Sequence, residues 1–177
     1  MKSRTLTAVF LATGLLVAGA AMAQQSAAPN PPDVIPDKMP FAIPYGAPIS
    51  MDRAQAVIQA AVAEANKRGW QMNVAVADSG ANLVAFARMD GAQLASIPIA
   101  EHKARAAAKF RRATQVFKDA VQKADFKFML TLDDVIASSG GIPLIEDGKI
   151  IGAVGCSGGT DSQDEAICTV AAATINK

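Results

Sequence analysis

The sequence predicts one small α/β domain of the α+β type, in which helices flank a mainly antiparallel sheet. Two pairs of short apolar runs are each joined by a turn sequence, Asp78-Ser79-Gly80 in the first pair and Glu146-Asp147-Gly148 in the second. Segments with helical spacing of apolar residues lie before, between and after these pairs. The predicted order is therefore α-β-β-α-α-β-β-α, and each pair of strands is a hairpin.

The first half of the domain contains a long helix and the first hairpin. Apolar residues recur at helical spacing from residue 51 to 68, and Gly69 is suited to end that helix. Residues 73–77 and 83–89 are short apolar runs on either side of the first turn. We therefore expect them to be the first two strands.

The second half begins with two helices, at about 96–112 and 114–124, and Ser96 is suited to cap the first of them. Strands are predicted at 142–145 and 149–154, and a glycine loop at 155–159 follows them. Ser162 and Glu165 have the spacing of a capping box, which predicts the start of the last helix.

Residues 1–23 have the pattern of an export signal. Lys2 and Arg4 precede an apolar, uncharged run, and Ala21-Met22-Ala23 offers a cleavage site. The run is shorter than the roughly 20 residues that a membrane-spanning helix needs. We therefore expect cleavage near Ala23, a periplasmic or secreted mature chain, and no membrane span.

Residues 24–49 form a proline-rich arm, and the domain takes residues 50–177. Proline lacks the N–H that helices and sheets use, which favours an extended arm. The arm also carries apolar residues, so packing on the domain or on a neighbouring subunit is one interpretation and a disordered tether is the other.

Removal of the signal leaves 177 − 23 = 154 residues and changes the formal charge from +1 to +1 − 2 = −1. A near-neutral chain lacks the clustered basic surface of nucleic-acid-binding proteins and has little protection against self-association. Cys156 and Cys168 lie on different predicted elements. A disulfide in an oxidising compartment and two buried thiols are both compatible with this placement.

The second predicted helix carries the only histidine. His102, Arg105 and Lys109 project from one side of it, away from the apolar face. A neutral imidazole can ligate iron, and the two cations can pair with carboxylates. An ordinary solvated helix face, with Glu101 paired to Arg105, is the alternative.

Two further segments are candidates for anion binding. Arg88 closes the first hairpin, where it could hold an anion, although Asp90-Gly91 is also a plain turn sequence. Ser157, Gly158 and Gly159 precede a predicted helix N-terminus, where free N–H groups suit a carboxylate or a phosphate. The same glycines need no function if they only form a turn.

Several separated blocks along residues 50–177 carry a family resemblance. They are Val74-Ala75-Val76-Ala77-Asp78-Ser79-Gly80, Phe86-Ala87-Arg88-Met89-Asp90-Gly91, Lys103-Ala104-Arg105-Ala106-Ala107, Gly140-Gly141-Ile142-Pro143-Leu144, Asp147-Gly148, Gly155-Cys156-Ser157-Gly158-Gly159 and Gln163-Asp164-Glu165. In these blocks the sequence resembles the GlcG/HbpS haem-binding proteins, which also include the C-terminal domain of PduO-type proteins.

The resemblance implies an antiparallel sheet flanked by helices, homo-oligomers and haem binding, with haem degradation or iron handling in some relatives. The sequence has no C-x-x-C-H motif, so the haem would be bound non-covalently. The chemistry of the residues makes His102 the candidate axial ligand of the haem iron. We therefore expect an exported haem-binding protein that senses, buffers or degrades haem.

Two other functions stay open at the level of the sequence. One is a small-molecule enzyme acting on a hydroxy or keto acid, whose carboxylate Arg88 and residues 157–159 would hold. The other is an accessory oligomeric subunit, in which the arm and the apolar surfaces serve assembly only.

Overall fold

The structure, a computed structural model, describes residues 37–39 and 41–176, all of which belong to the unit Pro32–Lys177. The predicted export signal and most of the arm lie outside the described residues. Within the described part, no helix has both the length and the apolar character needed to cross a membrane.

The element order is the predicted one. The helices are α1 (Met51–Arg68), α2 (Ser96–Phe110), α3 (Gln115–Lys123) and α4 (Asp161–Ala172). The strands are β1 (Asn73–Asp78), β2 (Leu83–Arg88), β3 (Gly141–Glu146) and β4 (Lys149–Ser157). A short 3₁₀ helix, Lys127–Thr131, follows α3 and was not predicted.

The four strands form one antiparallel sheet in the order β2-β1-β4-β3. Each hairpin keeps its own strands together, and pairing of β1 with β4 joins the two hairpins at the centre. Helix α2 packs on one face of the sheet, while α1 and α4 pack against each other and on the opposite face. The predicted α+β class is therefore confirmed.

The two faces of the sheet differ in the size of their side chains, because successive strand residues point to opposite faces. Val74 and Val76 face the α1 and α4 side, whereas Ala75 and Ala77 face α2. Small residues on the second face let α2 approach the strands closely. At Gly155 a Cβ atom would overlap the backbone of Ala100 and Ala104 on α2.

Strand β4 is longer than predicted: it ends at Ser157, whereas the sequence predicted an end at residue 154. Gly155 pairs with β1 on one side and with β3 on the other. Residues 155–157 are therefore strand, and the loop consists of Gly158 and Gly159. Gly155 is therefore not a turn residue, and its lack of a side chain allows α2 to pack closely on β4.

The N-terminal caps also differ from the prediction. Thr160, in extended conformation, accepts a hydrogen bond from the Gln163 amide, and the Gln163 side chain accepts one from the Thr160 amide. The capping box of α4 is thus Thr160–Gln163 and not the pair beginning at Ser162. Ser96 is buried, and its hydroxyl bonds the Gln93 side chain instead of a helix amide.

The last part of the arm packs on the domain. The Tyr45 hydroxyl donates to the carbonyl oxygens of Ala108 and Lys109 at 3.2 and 2.7 Å, at the end of α2. The guanidinium of Arg112 lies over the Phe41 ring. For residues 41–49 the structure therefore supports the packed interpretation of the arm.

Cys156 on β4 and Cys168 on α4 form a disulfide, with their Cα atoms 5.6 Å apart. Both residues are fully buried in the core on the α1 and α4 side of the sheet. Of the two states that the sequence left open, the structure has the oxidised one.

A Gly155→Ala substitution tests the close packing of α2. Because the added Cβ would overlap helix backbone rather than a movable side chain, we expect a loss of about 2 kcal/mol or more in the free energy of unfolding. Urea denaturation measures it. Gly80→Ala is the control, since its Cβ would meet only the ends of the Asn82 and Asp78 side chains. Equal effects of the two substitutions would contradict this account.

Candidate functional site

The His102 side of α2 is the first candidate site. His102 is half-buried, and its Nε2 atom is buried without a hydrogen-bond partner in the described part of the chain. A buried polar nitrogen without a partner is uncommon, because the desolvation of the group is then not offset. The described residues provide no hydrogen-bond partner for this atom, and an outside group could reach it only by displacing the side chains that cover it.

Arg105 and Lys109 lie near His102 around one acidic residue, Asp134. Lys109 hydrogen-bonds the Asp134 carboxylate, and this contact lowers the pKa of that carboxyl below its ordinary value. His102 and Arg105 act on the same carboxyl in the same direction. Arg105 also pairs with Glu101 at 3.5 Å, as the spacing predicted.

This donor set fits a haem in its chemistry. An imidazole nitrogen can ligate iron, and two cations on the same helix can pair with propionates. Both cations already have carboxylate partners, so propionates would have to replace Glu101 and Asp134. Among the described residues, no group of three or more His, Cys, Asp or Glu side chains could hold a metal ion by itself.

The glycine loop is arranged differently from the expectation. The amides of Gly158 and Gly159 donate to Asp164 Oδ1 at 3.0 and 2.9 Å. These two N–H groups are therefore occupied by the protein's own carboxylate and are not free. Ser157 is buried at the end of β4. A ligand-binding role for the three residues stays a prediction.

Asp164 belongs to a buried ion pair that the sequence analysis missed. Lys103 Nζ lies 2.6 Å from Asp164 Oδ2 and donates to the Cys156 carbonyl at 3.2 Å. The two side chains are only 1% and 5% exposed. Burial raises the pKa of the Asp164 carboxyl, whereas Lys103 and the two glycine amides oppose that shift.

A signal for this pair was present in the sequence. Lys103 lies beside Ala100, Ala104 and Ala107 on the apolar side of α2. A lysine inside an apolar face is rarely fully buried unless a partner accompanies it. The position of Lys103 could therefore have indicated an acidic partner, although only the fold identifies that partner as Asp164.

Arg88 lies in a second candidate site, a cleft of about 430 Å³ between the end of α1 and the end of β2. Its lining residues are Val62, Asn66, Gly69, Trp70, Gln71, Ala87, Arg88, Met89 and Asp90. A smaller cavity of about 180 Å³ shares Gly69, Trp70 and Gln71 with it and reaches Gly158 and Gly159. The structure thus brings Arg88 and the glycine loop together around Trp70.

Six of the seven predicted site residues therefore fall into two groups, and the seventh, Ser157, is buried at the end of β4. His102, Arg105 and Lys109 lie together on α2, and Arg88 lies with Gly158 and Gly159 beside Trp70. Trp70 and Gln71 were not predicted as site residues, because their place in the cleft depends on how α1 and the first hairpin meet.

The model of one protein family, described as haem degrading protein HbpS-like, matches residues 49–173. The chain is 40% identical to protein GlcG of Escherichia coli strain K12 over 109 residues, which cover 62% of this chain and 81% of GlcG.

Solved structures are similar over most of the domain. The crystal structure of a PduOC:heme complex has a TM-score of 0.68 and 32% identity, and the match covers 73% of this chain and 96% of that one. A crystal structure of HbpS has a TM-score of 0.69 and 25% identity, with coverage of 77% and 96%.

A Lys103→Met substitution tests the buried ion pair. Because it leaves the Asp164 carboxylate buried without its cation, we expect a loss of about 3–5 kcal/mol in the free energy of unfolding. Lys123→Met, which removes an exposed ion pair with Asp119, should change stability by less than about 1 kcal/mol. Urea denaturation gives both values.

The double variant Lys103→Met/Asp164→Asn should recover a large part of the unfolding free energy that Lys103→Met loses, because neither charge is then left alone in the core. Strictly additive losses would contradict the coupling of the two residues.

Proposed function

The chain belongs to the HbpS-like family of haem degrading proteins, and from that premise we propose that it binds haem non-covalently. The similarity to a PduOC domain whose structure contains haem supports this proposal. A C-x-x-C-H motif, which covalent attachment would require, does not occur in the sequence.

The observation that carries the residue assignment is the buried, unpartnered Nε2 atom of His102. We assign this nitrogen as the axial ligand of the haem iron. Arg105 and Lys109 would hold the propionates, since Lys109 hydrogen-bonds the Asp134 carboxylate and Arg105 acts on the same carboxylate through its charge. Bound haem would supply a redox-active iron, and the protein would supply its ligand, its orientation and partial shielding from water.

We propose that haem is sensed, buffered or degraded outside the cytoplasm. The export pattern of residues 1–23 supports this location. The disulfide between Cys156 and Cys168 agrees with it, because disulfides persist mainly in oxidising compartments. Haem itself would then be a partner met in the periplasm or in the medium.

A homo-oligomer is part of the same proposal. Large apolar side chains are exposed around the 3₁₀ helix, with Phe128 at 61% and Leu130 at 57% exposure. Contact with another copy of the chain would remove these exposed apolar side chains from water. The formal charge of the mature chain, −1, gives little repulsion between copies.

Hemin titration of the purified mature chain tests the haem proposal. We expect a saturable Soret band whose position indicates histidine ligation. His102→Ala should weaken binding by about tenfold or more, since loss of a metal–imidazole bond exceeds the effect of an ordinary contact. Absorbance spectra provide the affinity and the ligation state together.

Lys123→Ala, at an exposed position of α3, is the matched control and should leave the titration unchanged. No spectral change with hemin would refute the haem proposal. An unchanged Soret band in His102→Ala would refute the ligand assignment while leaving haem binding itself in place.

Expression of the full chain with its own N-terminus tests export. The intact mass of the exported protein should correspond to a chain beginning at Gln24, and it should be two hydrogens lighter before reduction because of the disulfide. Light scattering of the same sample should give a multiple of the chain mass. Retention of residues 1–23 would contradict export, and a monomer mass would contradict assembly.

A further inference from the structure

We propose that the cleft around Trp70 and Arg88 is a second binding site, which takes a small organic acid with one carboxylate and an apolar or planar body. This site is independent of the haem proposal. It borders α1, the segment 69–71 and β2, whereas His102 lies on α2, which packs on the opposite face of the sheet from α1.

The first observation that supports a carboxylate site is that, among the described residues, the side chain of Arg88 is free. Arg88 is exposed at the end of β2, and within residues 37–39 and 41–176 it makes neither an ion pair nor a side-chain hydrogen bond. Every other arginine in those residues has a side-chain hydrogen bond: Arg53, Arg68, Arg105, Arg111 and Arg112. The fork-shaped guanidinium of Arg88 is therefore open to a carboxylate, which it can bind through two parallel hydrogen bonds.

The walls of the cleft are the second reason. Trp70 is half-buried, and the Arg68 guanidinium lies 5.1 Å from the ring centroid. Val62, Ala87 and Met89 add apolar surface around the same space. A cleft of about 430 Å³ is within the size range of small-molecule sites, and an indole beside it suits a flat or apolar ligand body.

The remaining polar residues restrict the charge of the ligand. Asn66 and Gln71 line the cleft and make no side-chain hydrogen bond within the described part of the chain, so their amides can bind further oxygen atoms. Asp90 lines the same space and has no cationic partner there. A second negative charge on the ligand would meet this carboxylate, which favours monocarboxylates over dicarboxylates.

The glycine loop lines the smaller cavity beside this cleft, which shares Gly69, Trp70 and Gln71 with it. A Cβ at Gly158 would overlap the Gln71 carbonyl oxygen and lie 2.9 Å from the Met72 Cα, so the loop packs directly on the Trp70–Met72 segment. Asp164 holds the loop in place through two amide hydrogen bonds. The buried ion pair of Lys103 and Asp164 therefore fixes the loop against which the Gln71–Met72 backbone packs, and a ligand does not have to order this loop.

Trp70 is the only tryptophan of the chain, so its fluorescence reports directly on the cleft. We would titrate the mature protein with benzoate, with the neutral isostere benzamide, and with phthalate, which has a second carboxylate. Benzoate should produce a saturable change in Trp70 emission. Benzamide should bind at least about tenfold more weakly because it has no negative charge for Arg88, and phthalate should bind similarly weakly because its second carboxylate would face Asp90.

Arg88→Gln should weaken benzoate binding by about tenfold or more, and Arg88→Lys should lose less, since it keeps the charge but not the paired hydrogen bonds. Arg53→Gln is the matched control, because it removes another surface arginine, the partner of Glu146. It should leave the titration unchanged, and circular dichroism should show all three variants folded.

The absence of a saturable response to benzoate would overturn the proposal. Equal binding by Arg88→Gln and the original protein would overturn it as well, and so would equal binding of benzoate and benzamide. None of these outcomes bears on the hemin titration, so failure of this site and failure of the haem proposal can be told apart.

Discussion

The buried ion pair of Lys103 and Asp164 is the interaction on which the arrangement of the domain depends. It joins α2, on one face of the sheet, to α4, on the other face, across the end of β4. Asp164 Oδ2 accepts a hydrogen bond from Lys103, and Asp164 Oδ1 accepts hydrogen bonds from the two amides of the glycine loop. Because both charges are removed from water, each is stable in the core only when it is paired with the other. The pair therefore fixes the positions of α2, α4 and the glycine loop relative to one another.

This pair also relates the two candidate sites to each other. His102 and Lys103 are adjacent on α2. The orientation of the helix that buries Lys103 therefore places His102 on the side of Arg105 and Lys109. On the other side of the pair, Asp164 fixes the loop that lines the smaller cavity beside Trp70. The close packing of α2 on Gly155 places Lys103 deep enough in the core to reach Asp164. A bulkier residue at position 155 would push α2 away from the sheet.

Much of the fold was predictable because its signals are local. The Asp147–Gly148 turn, the helical spacing in residues 51–68 and the stop at Gly69 specify elements without any tertiary contact, and they agree with the structure. The cap of α4 was misplaced, because Thr160 with Gln163 and Ser162 with Glu165 share the same spacing. The end of β4 was misplaced because glycine indicates a loop in sequence, whereas here it makes room for a helix.

Residue order and spacing along the chain were enough to predict the α-β-β-α-α-β-β-α order, the family resemblance and the common face of His102, Arg105 and Lys109. The folded chain was needed to establish that Cys156 and Cys168 are bonded, that Asp164 accepts hydrogen bonds from the glycine amides, and that Arg88 and Trp70 line one cleft. These features join residues that are far apart in sequence. Their distances are set by the packing of helices on the sheet, which no local pattern encodes.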